Sequence, residues 1–305
     1  MNKLKSLCLI LGFLLFAALP LTINWTTLVD ISKNKPPLPV NPQRIVSMSP
    51  GHTEILFALG AGDRIVGVSS FSDYPEEATT KPTIGNYLAP DLEKILSLQP
   101  DIVFALSHSQ SRFIGVLEQA GICVIALEPI TMQEILDAID VISQAIGEPE
   151  RGAELAFELN ESLDEVRGIV AHSEPRRVFV EVWDIPLLTV GNKSFINDII
   201  HLAGGINVAK GKNLAYAPCE IETLFLYNPE VYIVVSHEYK SSSSIINRPE
   251  FADIYAVKNN RISPVTADLV ARSGPRSFTG LREVAKIIHP EAFINSQFII
   301  HNSQL

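Results

Sequence analysis

Two glutamates, Glu93 and Glu222, stand 129 residues apart in stretches that read alike, DLEKILSLQPDIVF (Asp91 to Phe104) and EIETLFLYNPEVYI (Glu220 to Ile233). Each stretch opens with an acid, an apolar residue and a glutamate, then runs through an apolar helical segment to Pro100 or Pro229, another acid and a β-branched strand. Generic βα patterning accounts for the apolar run. It does not demand a glutamate at one helix start in both copies. Six residues before each glutamate stands a tyrosine, Tyr87 and Tyr216. One aromatic ring from each copy could clamp a flat, largely apolar ligand. Taken instead as ordinary loop tyrosines, they would owe nothing to that symmetry.

Other residues offer weaker chemistry. SPGHTE carries Ser49 and His52, SSFSDYPEEA carries Asp73 and Tyr74, and VARSGPRS places Arg272 and Arg276 around a Gly-Pro pair before the last helix. Guanidinium groups and backbone N–H groups there suit an anion, or form a plain capping turn. His52 and His108 both follow strands, so a metal site between them is conceivable; the other five histidines fall elsewhere. Dinucleotide-binding and P-loop glycine patterns are absent, as are a G-x-S-x-G elbow and H-E-x-x-H. The expectation is a protein without catalytic residues, resident cofactor or dedicated metal.

The elements that must position these residues alternate between strand and helix. RIVSMS, RIVGVS, DIVFAL and CVIALE are short β-rich runs, separated by helical stretches that end at Gly60 and Gly121. Strands apolar on both faces between helices argue for a parallel sheet covered on both sides, giving an α/β lobe over residues 43–146. A second series, RRVFVEVW, LLTVG, SFINDIIHLAGG, IETLFLYN, VYIVVS, RISPVT and PRSFTGLREVAKIIH, builds another over 175–295. Between them, in residues 147–174, Leu155, Leu159, Leu163, Val166 and Val170 keep helical spacing. A helix of ~24 residues is about 36 Å long and could back both lobes. The fold class is α/β: two Rossmann-like lobes with parallel sheets, joined by one long helix, with a ligand cleft between them.

At 305 residues, two lobes are the natural division, and 47% hydrophobic against 19% charged residues suits a large core. A net charge of −10 with no dense basic cluster argues against nucleic acid. Cys8, Cys123 and Cys219 show neither metal-ligand spacing nor a disulfide framework. Lys3 and Lys5 precede an apolar run from Leu7, the layout of an export signal. No A-x-A site follows, and ~20 apolar residues can also span a bilayer, so residues 1–31 are a signal peptide or an uncleaved anchor. Residues 32–42 are a proline-rich linker and 296–305 a tail.

RIVSMSPGHTEILFALGAGDRIVGVSSFSDYPEEA, with LEKILSLQPDIVFA and INDIIHLAGGINVA, resembles the class III substrate-binding proteins of ABC importers, which carry cobalamin, ferric siderophores or haem. The SDYP loop resembles the cobalamin-binding branch most. The resemblance covers Arg44 to about Pro290. It implies that Glu93 and Glu222 dock to arginines of a membrane permease served by a cytoplasmic ATPase. It also implies that Tyr74, Tyr87 and Tyr216 line the cleft, with Arg272, Arg276, Ser49 and His52 as further ligand contacts. Tyr87 and Tyr216 are tryptophans in the best-known cobalamin binder, and tyrosine can also ligate haem iron. The expectation is therefore an exported monomer, periplasmic or anchored to the outer face of the cytoplasmic membrane, that carries a corrinoid. The alternatives are haem or a ferric siderophore as cargo, or a secreted two-lobed metalloenzyme using His52 and His108.

Overall fold

The structure is a computed structural model that describes residues 36–236 and 243–294. The export segment, the first residues of the linker, Cys8, His237, His301 and the C-terminal tail lie outside the described residues. Among the described residues no helix is long and apolar enough to cross a membrane.

In the first lobe the chain runs β1 (Ile45–Ser47), α1 (Pro50–Ala58), β2 (Ile65–Val68), a short hairpin of β3 (Gly85–Asn86) and β4 (Ala89–Pro90), α2 (Leu92–Ser97), β5 (Ile102–Ala105), α3 (Ser111–Gln119), β6 (Cys123–Ala126) and α4 (Met132–Ile146). The sheet order is β2-β1-β5-β6, all parallel. Gly60, Gly121 and Gly147 take left-handed φ just past α1, α3 and α4, where a Cβ would be strained. The linking helix α5 (Pro149–Val170) begins with proline at its first position, where the missing N–H costs nothing.

The second lobe follows as β7 (Arg176–Asp184), β8 (Leu187–Val190), α6 (Phe195–Leu202), β9 (Gly205–Asn207), β10 (Tyr216–Pro218), α7 (Ile221–Tyr227), β11 (Val231–Ser236), α8 (Ser243–Ile246), α9 (Tyr255–Lys258), β12 (Ile262–Thr266), α10 (Ala267–Val270) and α11 (Ser277–Ile288). Its sheet differs from the expected all-parallel form. β9, β11 and β12 run parallel to the rest of the central ladder, but β8 turns back from β7 and β10 runs antiparallel to β8. The reason is local: the turn at Asp184–Pro186 is too short for a crossover, so β8 can pair only antiparallel.

The repeat extends into the backbone. Ile95 and Leu224, at equivalent positions of α2 and α7, are both fully buried. Gln99 and Asn228 both take left-handed φ before the shared proline. The acid after each proline has one job in both lobes: Asp101 accepts from the N–H groups of Gln43 (2.7 Å) and Arg44 (2.9 Å), and Glu230 accepts from Arg177 N–H (2.9 Å). Each acid thereby fixes the entry to its lobe's first strand.

One continuous core runs through both lobes, from Ile55 and Leu56 of α1 through Ile135, Ile139 and Ile142 of α4 to Phe278, Leu281 and Val284 of α11. The linking helix contributes Leu163, Val166 and Val170 to it. Replacing Leu163 by alanine is expected to lower the unfolding free energy by about 2–5 kcal/mol in a urea titration. Phe157→Ala, on the solvent face of the same helix, should change it by less than about 0.5 kcal/mol.

Candidate functional site

The two lobes meet along a seam built by SPGHTE from the first and ARSGPRS from the second. Gly51 sits so close to this second loop that a methyl group on its Cα would overlap the Ser273 carbonyl oxygen. Gly274 in turn lies against Gly51 and the Glu54 carboxylate. Side chains then lock the contact. Arg276 donates to Glu54 Oε1 at 2.7 Å and lays its guanidinium 4.0 Å from the centre of the Tyr74 ring. Arg272 forks onto Asp73, with one bond of 3.1 Å, and pairs with Asp268 at 2.8 Å. Ser273 Oγ donates to the Pro129 carbonyl at 2.7 Å, and Met132 N–H at the start of α4 donates to Asp198 of α6 at 2.8 Å.

This arrangement revises the ligand-contact role expected of four residues. Ser49 is buried as the N-cap of α1, its Oγ accepting from His52 N–H at 3.3 Å. His52 is 1% exposed, edge-on to Phe104, and neither ring nitrogen has a well-formed hydrogen bond. Burial depresses its pKa to about 4, with nearby Leu127 and Phe104 carbonyls and Glu128 opposing only in part. It is a neutral residue inside the lobe. Arg272 and Arg276 already have their charges satisfied across the seam. The first-lobe partners, Asp73 and Glu54, stand next to sequence candidates, but nothing in the sequence pairs them with arginines so far along the chain.

Tyr74 stays half-exposed, and its loop is positioned from behind by buried hydroxyls. Thr53 Oγ1 reaches Ser47 Oγ (2.8 Å) and Ser72 Oγ (2.9 Å), and Ser72 reaches Ser69 (3.1 Å). A groove of about 780 Å³ runs beside Tyr74, lined by Glu54, Phe57, Lys81, Pro275 and Arg276. It follows the flank of α1 and includes neither Tyr87 nor Tyr216, so it is not the clamp the repeat suggested.

Tyr87 and Tyr216 are held by different elements, one in each lobe. Tyr87 sits at the tip of the β3–β4 hairpin, edge-to-face with the half-exposed Phe71 at 5.8 Å. The hairpin is closed by Asn86 Oδ1, which accepts from the N–H groups of Leu88 and Ala89. Behind it, the fully buried Gln110 donates to the carbonyls of Tyr87 (2.7 Å) and Met48 (2.9 Å) and accepts from Leu106 N–H. Tyr216 begins β10, paired with Val190 at the edge of the second sheet. It is 50% exposed, yet its hydroxyl is pushed above the ordinary tyrosine range by surrounding protein and then by Tyr87. Its ring stands half-exposed at the edge of the second sheet. Phe71 and Gln110 escaped the sequence reading. Phe71 could have been found as a second aromatic in the SDYP loop, whereas nothing marks a lone buried glutamine.

Glu93 and Glu222 are each the second residue of their helices, α2 and α7, and both are exposed. His108 and His52 do not converge on one open site, the first being exposed and the second enclosed. Among the described residues no group of three or more His, Cys, Asp or Glu side chains is placed to hold a metal ion.

The profile of the periplasmic binding protein family matches residues 45–269. The chain belongs to that family. Within this periplasmic binding protein family, it is 29% identical over 247 residues to the vitamin B12-binding protein of Vibrio cholerae, covering 81% of this chain and 89% of the relative. It is 30% identical over 282 residues to the ABC transporter substrate-binding lipoprotein YvrC of Bacillus subtilis, covering 90% and 87%. The crystal structure of the V. cholerae vitamin B12-binding protein BtuF superposes with a TM-score of 0.74 over 82% of this chain and 98% of that one. The haem-binding protein RhuT of Roseiflexus sp. RS-1, 27% identical, superposes at 0.73 over 82% and 99%. As a periplasmic binding protein this chain has a small-molecule ligand and an ABC permease with its ATPase as partners.

The seam acids respond oppositely to pH. Arg272 holds the Asp73 carboxyl below its usual range, whereas burial pushes the Glu54 carboxyl above its own, against the pull of Arg276 and Arg272. A raised folded-state pKa means that the folded protein binds the extra proton, so Glu54 favours folding more as pH falls through its raised value toward the unfolded one. Wild type is therefore expected to gain unfolding free energy relative to Glu54→Gln between pH 7 and pH 5, measured by urea titration at both. A Glu54→Gln variant that keeps a constant offset over this interval would refute the burial effect.

Proposed function

We propose that this protein is an extracytoplasmic carrier that captures a corrinoid between Tyr87 and Tyr216 and delivers it to an ABC permease. The carrying observation is the pair of partly exposed tyrosines at equivalent points of the repeat, one from each lobe, each six residues before an exposed glutamate. Two facing aromatic walls suit a broad, flat macrocycle better than a small sugar or amino acid, whose hydroxyl or ammonium groups need many polar partners. The similarity to vitamin B12-binding proteins over most of both chains supports the same cargo. On this reading the protein has no catalytic residues and no resident cofactor, acts as a monomer, and is exported by its apolar N-terminal segment.

A carrier must release what it binds, so its cleft works by contact and exclusion of water. Glu93 and Glu222 then serve the second half of the task. They project from equivalent helix starts, one per lobe, where exposed carboxylates orient docking at little cost to the fold.

Calorimetry with cyanocobalamin, haemin and a ferric siderophore tests the cargo; tight binding of haemin with none of cyanocobalamin would shift the assignment to haem. Tyr87→Ala and Tyr216→Ala are each expected to weaken cyanocobalamin binding by about 2 kcal/mol, the cost of losing a central aromatic anchor. The double variant Glu93→Ala, Glu222→Ala should bind cyanocobalamin as wild type does, while losing stimulation of ATP hydrolysis by the permease in proteoliposomes. A large loss of ligand affinity in that double variant would put the glutamates inside the cleft.

A further inference from the structure

One side chain beside the clamp is left unexplained by carriage alone. The loop from β5 to α3 is held on several sides. Gln110 ties it to the Tyr87 carbonyl at 2.7 Å, and Arg112 donates to the Leu88 carbonyl at 2.9 Å. From the other flank Glu128 accepts from the N–H groups of His108 (2.5 Å) and Ser109 (3.1 Å) and from Ser109 Oγ. With its backbone fixed in this way, the loop projects a single imidazole: the His108 side chain is 91% exposed. An exposed histidine on a loop ordinarily needs no explanation. Two features set this one apart.

The first is what lies behind the ring. His108 Nδ1 is 3.0 Å from Ser107 Oγ and 3.4 Å from Glu128 Oε2. Burial pushes the Glu128 carboxyl up, but bonds from Ser109 and His108 outweigh it and keep the group below its usual range. An anion beside Nδ1 favours the tautomer with its proton there, and leaves a lone pair on Nε2. Nε2 has no hydrogen-bond partner among the described residues. A ring backed on one nitrogen by a carboxylate and free on the other is the arrangement of a metal-binding imidazole. The second feature is position. Gln110, two residues on from His108 in the same loop, holds the Tyr87 carbonyl, so the imidazole stands on the loop that supports the Tyr87 hairpin.

We propose that His108 is a metal-ligating residue toward the cargo: its Nε2 takes an exchangeable axial position on the cobalt of the bound corrinoid. This rests on the corrinoid reading above. The exchange is balanced: water leaves Co(III), the Nε2 lone pair forms the Co–N bond, no electron is transferred and the Nδ1 proton stays in place. A corrinoid whose upper position holds cyanide keeps it, because imidazole does not displace that strong carbon ligand. The protein would therefore distinguish aquocobalamin from cyanocobalamin at one residue, while the aromatic clamp holds both.

The test is titration of the full-length protein with aquocobalamin and cyanocobalamin, followed by visible absorbance and calorimetry. Wild type should shift the visible bands of aquocobalamin and leave those of cyanocobalamin in place. His108→Ala should abolish the shift and weaken aquocobalamin binding by about tenfold or more, with cyanocobalamin affinity unchanged, which also shows that the variant is folded. Glu128→Gln should retain a smaller gain, since the ring keeps its nitrogen and loses the anion behind it. An unshifted wild-type spectrum, or a shift that survives His108→Ala, overturns the proposal; a surviving shift would assign the ligand to a tyrosine oxygen. Wild type that fails to bind cyanocobalamin defeats the cargo reading and this proposal together. Binding of cyanocobalamin without any aquocobalamin shift defeats this proposal alone.

Discussion

Everything else in this molecule depends on the closeness of two backbones. Gly51 and Gly274 allow SPGHTE and ARSGPRS to approach until no Cβ fits between them. At that separation Arg276 reaches the nearly inaccessible Glu54, and Arg272 reaches Asp73. A buried carboxylate is costly unless a cation and hydrogen bonds meet it, and removing one partner leaves the other stranded. The seam is thus specified by mutual need: Glu54 and Asp73 of one loop region meet Arg276 and Arg272 of the other, with Asp268 sharing Arg272. Because one apolar core also continues through it, the lobes are not two bodies on a string. They are one body with a slot.

That geometry decides what kind of ligand handling is open to the protein. Wide swinging would expose the core that α1, α4, α5 and α11 share, so capture has to rely on a largely preformed slot. Its walls are set by rigid supports. The Tyr87 hairpin leans on buried Gln110, and the Tyr74 loop leans on the Ser47, Thr53 and Ser72 hydroxyls. Tyr216 is held by a strand pairing. On the proposed reading, such a preformed aromatic slot would lose little entropy on binding a rigid macrocycle, which lets contact area count toward affinity.

Alternation of strand and helix, glycine stops and apolar helical spacing made both lobes and the linking helix legible in the sequence, because these are local rules read over a few turns. The repeat located both helix starts for the same reason, since each lobe obeys one register. What stayed hidden was pairing across the chain. Arg272 and Arg276 looked like anion binders, for nothing near them in sequence announces Asp73 or Glu54, some 200 residues earlier. His52 looked reachable because it follows a strand, but it lies on the inward side of α1, and one turn of a helix decides between cleft and core. The antiparallel edge of the second sheet was likewise missed: RRVFVEVW and LLTVG were legible as separate strands, but alternation with helices suggested parallel pairing where a two-residue turn forces antiparallel.

The repeat also couples the two ends of the carrier's task. In each lobe only five residues separate the clamp tyrosine from the exposed glutamate. In the first lobe those residues are not slack. Asp91 N–H donates to the Ile84 carbonyl, Asp91 Oδ1 accepts from Lys94 N–H to cap α2, and β3 pairs with β4. If Glu93 docks a permease as proposed, a load on it would pass through a capped helix and a closed hairpin to Tyr87. The second lobe is built differently. Its α7 has no side-chain cap, and Tyr216 lies in a strand tied to β8. Displacement of α7 therefore pulls on the sheet edge and not on a hairpin tip. On the proposed reading, unequal couplings of this kind would move one tyrosine before the other, and a flat ligand held by stacking is peeled from one face more easily than it is lifted from both.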